Sequence, residues 1–328
     1  MVSETNKNGY KQLDPGCHIA GGVSYGTPLF LAGIGELLSE RGGLVNLGIE
    51  GMMLIGASVG FWVSQVLTFE SAASLLVAFA IAMIAGALAA GLYAVITVGL
   101  RADQVVTGLI LAIFGGSTGL STYLGSTAHL IGVVGHHNLV AVGLGPLSSL
   151  PVVGPVLFHQ DPLVYASWFL LLVVEIFLGY TRLGRITLKA VGDNPTSAAA
   201  MGIKVRQVRF LFCIAGGALA GLGGAYYSLR LIPSWSNGLT AGAGWIALGL
   251  VIVAFWRPIL LLAGCYLFGI SVSIGSVLAA RGITLAPELY GVLPYALTLI
   301  VLIASSALLK GKRWASAPAS LGKPYEGE

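Results

Sequence analysis

AASLLVAFAIAMIAGALAAGLYAVITVG, residues 72–99, contains no charged side chain. A helix needs roughly 20 apolar residues to cross a bilayer, so this run is a membrane span with length to spare for tilting. Similar runs lie near 22–39, 44–67, 104–124, 162–180, 207–229, 240–256, 258–280 and 289–309. The pattern predicts an all-α, polytopic integral membrane protein with about nine spans, within a range of eight to ten. The run 240–256 is short and glycine-rich at its start, as in segments that enter a membrane without crossing it fully.

Composition agrees. Of 328 residues, 56% are hydrophobic and 9% charged, and mean hydropathy is +0.89. A water-facing surface normally draws on about a quarter of the residues as charges. The 47 glycines fall inside apolar runs, where they let helix backbones approach closely. A net charge of +4, scattered along the chain, excludes a nucleic-acid reader and fits the excess of Lys and Arg in cytoplasmic loops. Cys17, Cys213 and Cys265 share no metal-ligand spacing and read as small core residues. The first twenty residues lack the apolar stretch of a cleavable signal.

Cations set the orientation. None occurs between Ala102 and Thr181, which places the connection 125–161 outside. Arg182, Arg185, Lys189, Lys204, Arg206 and Arg209 gather in the loop 182–209, which belongs in the cytoplasm with the tail 310–328 and its Lys310, Lys312 and Arg313. Counting spans between these anchors puts Arg41 and Arg101 inside. It puts the polar N-terminal segment 1–21 outside, with 22–309 as the membrane domain.

Within the cytoplasmic loop, residues 190–205 read AVGDNPTSAAAMGIKV. Asn194 suits an N-cap, and Pro195 suits the first helical position, where its missing N–H costs nothing. Thr196 to Met201 make one helical turn, and Gly202 closes it in the left-handed conformation. Its surface is Ala, Ser and Thr, too small for a membrane anchor and suited to a close fit in a cleft of another protein. The alternative is a connector helix without a partner.

Several segments carry a family resemblance. AVGDNPTSAAAMGIKV resembles the coupling loop of permeases in the branched-chain amino acid, ribose and nucleoside ABC importer group. RGGLVNLGIEGMMLIGA (41–57), AGAGWIALGLVIVAFWRP (241–258), LAPELYGVLPYALTLIVL (285–302) and APASLGKPYEGE (317–328) are similar to its nucleoside and simple-sugar branch. The likeness runs from about residue 25 to the C-terminus. It implies half of a translocation pore in a prokaryotic inner membrane, paired with a second permease chain, a heterodimer being favoured. It also implies a separate ATPase subunit that binds the ATP, docked through Gly192, Asp193, Asn194, Pro195, Ala198, Ala199 and Gly202. A solute-binding protein outside would deliver nucleosides, sugars or riboflavin-like molecules. The sequence departs from the group's pattern at Asp193, where Glu is frequent, and in 247–258, which lacks extra glycine and polar residues before the Trp. The connection 125–161 matches least.

Polar residues inside apolar runs are the candidates for the conduit, because a charge at mid-bilayer costs on the order of 3 kcal/mol or more. Asn46 and Glu50 share a helix face, with Gly48 between them and Gly51 just after able to break the helix. They either line the conduit or hold a broken segment; alternatively Glu50 reaches the interface or pairs with Arg41. The resemblance extends to this N-x-G-x-E-G pattern and implies a shared structural or gating role. Asp103 is expected to favour a helix N-terminus, and Gln104 is a conduit candidate. Glu36 and Glu175 are expected to be solvated or paired near span ends. Gly242, Gly244 and Ala247 allow the chain to bend. Trp245, Trp235, Tyr226 and Tyr227 read either as stacking platforms for a nucleobase or as interfacial anchors. EGMMLIGASVGFW (50–62) and GWIALGLVIVAFW (244–256) form a weak internal pair of the kind found in transporters.

Rival functions are weaker. No G-x-x-x-x-G-K-[ST] occurs, so ATP hydrolysis falls to a partner and the chain itself is no enzyme. Ser58 lies in a span, but no histidine does, which leaves an intramembrane protease without a base. His129, His136, His137 and His159 lie in the connection without the Cys or carboxylates of a metal site. A secondary transporter or channel for a small solute is the serious alternative; it would bury titratable groups at mid-membrane.

Overall fold

The computed structural model describes residues 15–67, 71–116, 118–135, 139–143, 153–280, 316–325 and 327, with isolated positions between them. The predicted span 289–309, the similar segment 285–302, the tail cations Lys310, Lys312 and Arg313, and His136 and His137 lie outside the described residues.

The described chain is predominantly helical: α1 (Pro15–Arg41), α2 (Ile49–Val66), α3 (Ser71–Ala94), α4 (Gln104–Gly115), α5 (Leu120–Thr127), α6 (Pro162–Tyr180), α7 (Lys189–Asp193), α8 (Pro195–Ala200), α9 (Val205–Tyr226), α10 (Ala243–Val253) and α11 (Pro258–Ala280). A π-helical turn, Val95–Gly99, extends α3, and another, Tyr227–Leu231, extends α9. Among the described residues, five helical stretches are long and apolar enough to cross a membrane: 49–66, 72–99, 104–127, 162–180 and 205–231. Ala243–Val253 and Pro258–Ile274 are shorter apolar helices. The protein is therefore a multi-pass helical membrane protein, and about nine spans is a finer count than these residues carry.

The structure departs from the sequence expectation at three places, while a fourth, the run 240–256, is as short as expected. The run 44–67 becomes helical only at Ile49, because Asn46 N donates to Glu36 Oε1 (2.8 Å) and Val45 N to Gln104 Oε1 (2.9 Å), bonds that hold residues 44–48 unwound. The run 104–124 is two helices broken at Gly116 to Gly119. The run 240–256 yields an 11-residue helix preceded by non-helical chain. And the connection contains a small antiparallel pair, β1 (Val142–Gly143) with β2 (His159–Gln160), where an all-α chain is expected.

Contacts define two polar faces. On one, the connection face, Gln160 Nε2 donates to Ala20 O of α1 (3.5 Å), and Tyr226 at the end of α9 donates its hydroxyl to Asp161. Asp161 also caps α6, accepting from Leu163 N (3.1 Å) and Val164 N (3.2 Å). On the other, the tail face, Arg41 at the end of α1 donates to Trp256 O from Nε (3.0 Å) and Nη2 (2.6 Å). That face also carries α7, α8 and the segment 316–325, where Ser320 N donates to Gly192 O (2.9 Å).

Helix α9 is the hub, packed on α1, α2 and α3. It makes these contacts through glycine: a Cβ at Gly221 would lie 2.4 Å from Ala82 O, and one at Gly56 would lie 2.3 Å from Gly221 O. In lipid, helix association rests on such close approach, since there is little hydrophobic gain between helices. Gly221→Val is accordingly expected to force α9 from α3 and to destabilise the fold by about 1–3 kcal/mol. Thermal unfolding in detergent measures this; an unchanged midpoint would show that these helices are not in contact.

Candidate translocation site and coupling loop

Helices α2 and α10 meet head to head. Glu50, one residue into α2, is 6% exposed. Its Oε1 accepts from Thr240 Oγ1 (2.5 Å) and Gly242 N (3.0 Å), and Oε2 accepts from Gly244 N (2.7 Å). The carboxylate thus satisfies orphan N–H groups at the start of α10, the end of a helix where the dipole favours negative charge. Ala241 (φ 48°) and Gly242 (φ 86°) turn the chain into that helix through the left-handed region, which costs Ala241 about 1–2 kcal/mol. A Cβ at Gly244 would lie 2.6 Å from the Glu50 backbone, so glycine is required for this approach.

The depth of this junction follows from helix length. Eleven residues of α10 rise about 16 Å, half of a hydrocarbon core about 30 Å thick. They end on the tail face, where the Trp256 indole N–H donates to Glu40 and Arg41 holds the Trp256 carbonyl. The start of α10 therefore lies about 16 Å in from the tail face. Residues 42–48 reach it from the tail face unwound, and residues 232–242 reach it from the connection face. From there α2 runs toward the connection face and α10 toward the tail face. The pair of segments at 50–62 and 244–256 thus has an inverted arrangement, as in transporters whose sites lie between repeats.

A cavity of about 470 Å³ opens at this junction, lined by Glu50 and Leu54 of α2, Leu109 and Ile113 of α4, Thr118 and Trp245 among others. Trp245 is half exposed, and its Nε1 donates to Leu47 O (3.2 Å), which fixes the ring.

Other conduit candidates are placed elsewhere. Asn46 is buried, its Oδ1 accepting from Gly48 N (3.0 Å), and it serves the unwound segment. Gln104 is buried and turned to the tail, donating to Lys323 O (3.4 Å). Asp103 caps α4 by accepting from Val106 N (2.8 Å). Glu50 does not pair with Arg41. Glu36 is neither solvated nor paired but fully buried on a backbone N–H, while Glu175 accepts from Ile259 N (3.1 Å). Tyr226 and Trp235 are core residues, 0% and 2% exposed, and present no stacking face. With Glu36, Glu40 and Glu50 all buried, the membrane interior holds more carboxylates than the apolar runs suggested; each is occupied by hydrogen bonds.

The candidate coupling loop folds locally as its residues dictate. Asn194 Oδ1 accepts from Ser197 N (2.9 Å), Pro195 opens α8, and Gly202 closes it at φ 82°. Asp193, Asn194, Thr196, Ser197, Ala200 and Met201 are exposed, and Pro195 and Ala199 are partly so. Gly192 and Ala198 are buried against the chain itself.

Two features of this face escaped the sequence reading. Arg209 is 2% exposed; its Nε donates to Gly42 O (3.0 Å), Nη1 to Lys323 O (3.1 Å) and Nη2 to Ser320 Oγ (3.3 Å). The C-terminal segment, in turn, is docked rather than free. A signal for Arg209 existed: Val205, Arg209, Phe212, Gly216 and Ala220 follow one helical stripe, which is the buried face of α9.

The matched family model, described as the branched-chain amino acid transport system / permease component, covers residues 18–302. The chain belongs to this permease family. The permease is 36% identical to the nucleoside ABC transporter permease NupC of Lactococcus lactis, over 94% of its own length and 96% of that protein. It is 29% identical to the guanosine ABC transporter permease NupQ of Bacillus subtilis, over 92% and 93%. It is 39% identical to TsgC13 of Haloferax volcanii, an ABC transporter permease assigned provisionally to glucose, over 76% and 73%. No solved structure matches the permease.

Proposed function

We propose that this permease forms half of the translocation pathway of an ATP-driven importer of nucleosides in a prokaryotic inner membrane. The observation that carries the reading is the likeness to NupC, which extends over nearly the whole of both chains. A further support is the cavity at the α2–α10 junction, whose walls are largely apolar and include Trp245. A nucleobase gains from such walls by stacking.

In this reading α8 is the coupling element, and the face that carries it is cytoplasmic, with the start of α1 on the outer side. A separate ATPase subunit binds and hydrolyses ATP and presses on α8. A second permease chain, different from this one, completes the pore. A solute-binding protein docks on the connection face. Glu50 then acts as a latch: its three bonds keep the two broken helices in register until the ATPase moves the tail face.

Uptake of labelled nucleosides and labelled glucose, in cells with and without the gene, tests the solute class. Nucleoside uptake that disappears with the gene and with ATP depletion is expected. Loss of glucose uptake alone would refute the nucleoside assignment, and uptake insensitive to ATP would favour a channel. Trp245→Ala is expected to raise the half-saturation concentration for nucleoside about ten-fold in reconstituted vesicles, in line with about 1–3 kcal/mol for stacking on one base. No change would remove Trp245 from the solute path.

A further inference from the structure

The C-terminal segment 316–325 is tied by specific bonds to α7, the short helix that leads into α8. Ser320 Oγ donates to Gly192 O (2.6 Å), and Ser320 N donates to the same oxygen. Tyr325 packs on the small cluster of Val191, Ala198 and Val205, beneath α8. A Cβ at Gly192 would lie 3.3 Å from Pro318 Cβ and 2.1 Å from Arg41 O, so the loop, the segment and the end of α1 leave no gap between them. Tyr325 of the segment thus packs in the same cluster as the buried Ala198 of α8, and both α8 and the segment carry exposed residues.

These exposed residues have a definite chemistry. Several are small: Thr196, Ser197 and Ala200 from α8, Ala319 from the tail segment. On the same segments Lys189, Lys204 and Lys323 are exposed and outnumber the exposed Asp193. A surface of small side chains with an excess of basic ones fits a shallow, acidic cleft.

We propose that residues 316–325 are part of the surface that docks the ATPase subunit, bracing α8 from behind and adding Ala319 and Lys323 to the contact. The proposal rests on the reading of α8 as the docking element. It gives Arg209 a positioning role, since its guanidinium holds the segment to the loop after α1 through the carbonyls of Lys323 and Gly42 and the hydroxyl of Ser320.

Site-directed photo-cross-linking on the full complex in native membrane tests it. A benzophenone amino acid is placed at Thr196 in one variant and at Ala319 in another, both exposed positions whose side chains hold no hydrogen bond that shapes the fold. Cross-links from both to the ATPase subunit, identified by mass spectrometry, are expected. A cross-link from Thr196 without one from Ala319 overturns the proposal and leaves the reading of α8 intact. Cross-links from neither overturn both. Lys323→Glu supplies an independent measurement, because the carbonyl of Lys323 makes the bonds and its side chain is free to change. About ten-fold less ATPase is expected to co-purify with this variant at low salt, with the difference narrowing at high salt. Equal recovery at all salt concentrations overturns the Lys323 contact.

Discussion

Glu50→Ala abolishes solute uptake while leaving the ATPase subunit bound: this is the largest effect expected of any single substitution. Removing the carboxylate leaves Thr240 Oγ1, Gly242 N and Gly244 N without their acceptor. In a membrane interior each orphaned group costs about 1–3 kcal/mol, enough to detach the start of α10 from α2. Glu50→Gln is expected to be intermediate, because one amide oxygen still accepts while the new N–H₂ faces backbone donors. Glu50→Asp is one methylene short and should fail at one of the two oxygens. Uptake into vesicles with a pull-down of the ATPase separates these outcomes. Uptake by Glu50→Ala within a factor of about two of the parent would mean that the α2–α10 junction plays no part in transport, since even one lost bond of about 1 kcal/mol shifts an equilibrium five-fold.

Arg209→Ala is the second large effect, and it acts on the opposite end of the chain of bonds. A nearly buried guanidinium serves three acceptors on two segments. Its loss should cost about 2–4 kcal/mol locally, taking about 1–3 for each acceptor left dry and allowing for water reaching the tail face. Limited proteolysis is expected to cut within residues 316–325 in the variant and not in the parent, while the rest of the chain stays resistant. Arg209→Lys should rescue little, because an ammonium cannot bridge acceptors spread as a guanidinium does. A tail that remains protected in Arg209→Ala would show that the apolar contact of Tyr325 holds it without the hydrogen bonds.

These residues also mark where the fold was legible in the sequence and where it was not. Helix α6 has the predicted bounds 162–180, because its signals are local: an Asp161 cap, a proline at the first position and an uninterrupted apolar run. The cap, the proline and the closing glycine of α8 were legible for the same reason. Helix α2 starts five residues after its apolar run because distant groups, Glu36 and Gln104, capture the amides of Asn46 and Val45. No local pattern announces such partners. The pairing of Glu50 with the start of α10 links positions 190 residues apart in sequence, so its carboxylate could be recognised as exceptional but its partner could not be named. The tail is legible only as a cytoplasmic segment with a family-like sequence, and the docking of 316–325 comes from Arg209, Gln104 and the loop carbonyls it meets. Of the candidate conduit residues, Glu50 and Trp245 reach the cavity and Gly244 abuts Glu50, whereas Asn46 and Gln104 support the unwound segment behind it.

The central claim is that α8 couples this permease to a separate ATPase, and co-purification from native membrane tests it most directly. Everything recovered with the chain is identified by mass spectrometry, for the parent and for Asn194→Lys combined with Ala199→Glu, which removes the cap of α8 and places charge on its surface. The account predicts an ATPase subunit with the parent and its loss from the doubly substituted chain, at unchanged abundance in the membrane. A stable assembly without any ATPase, or one whose ATPase is retained equally by both chains, would contradict it.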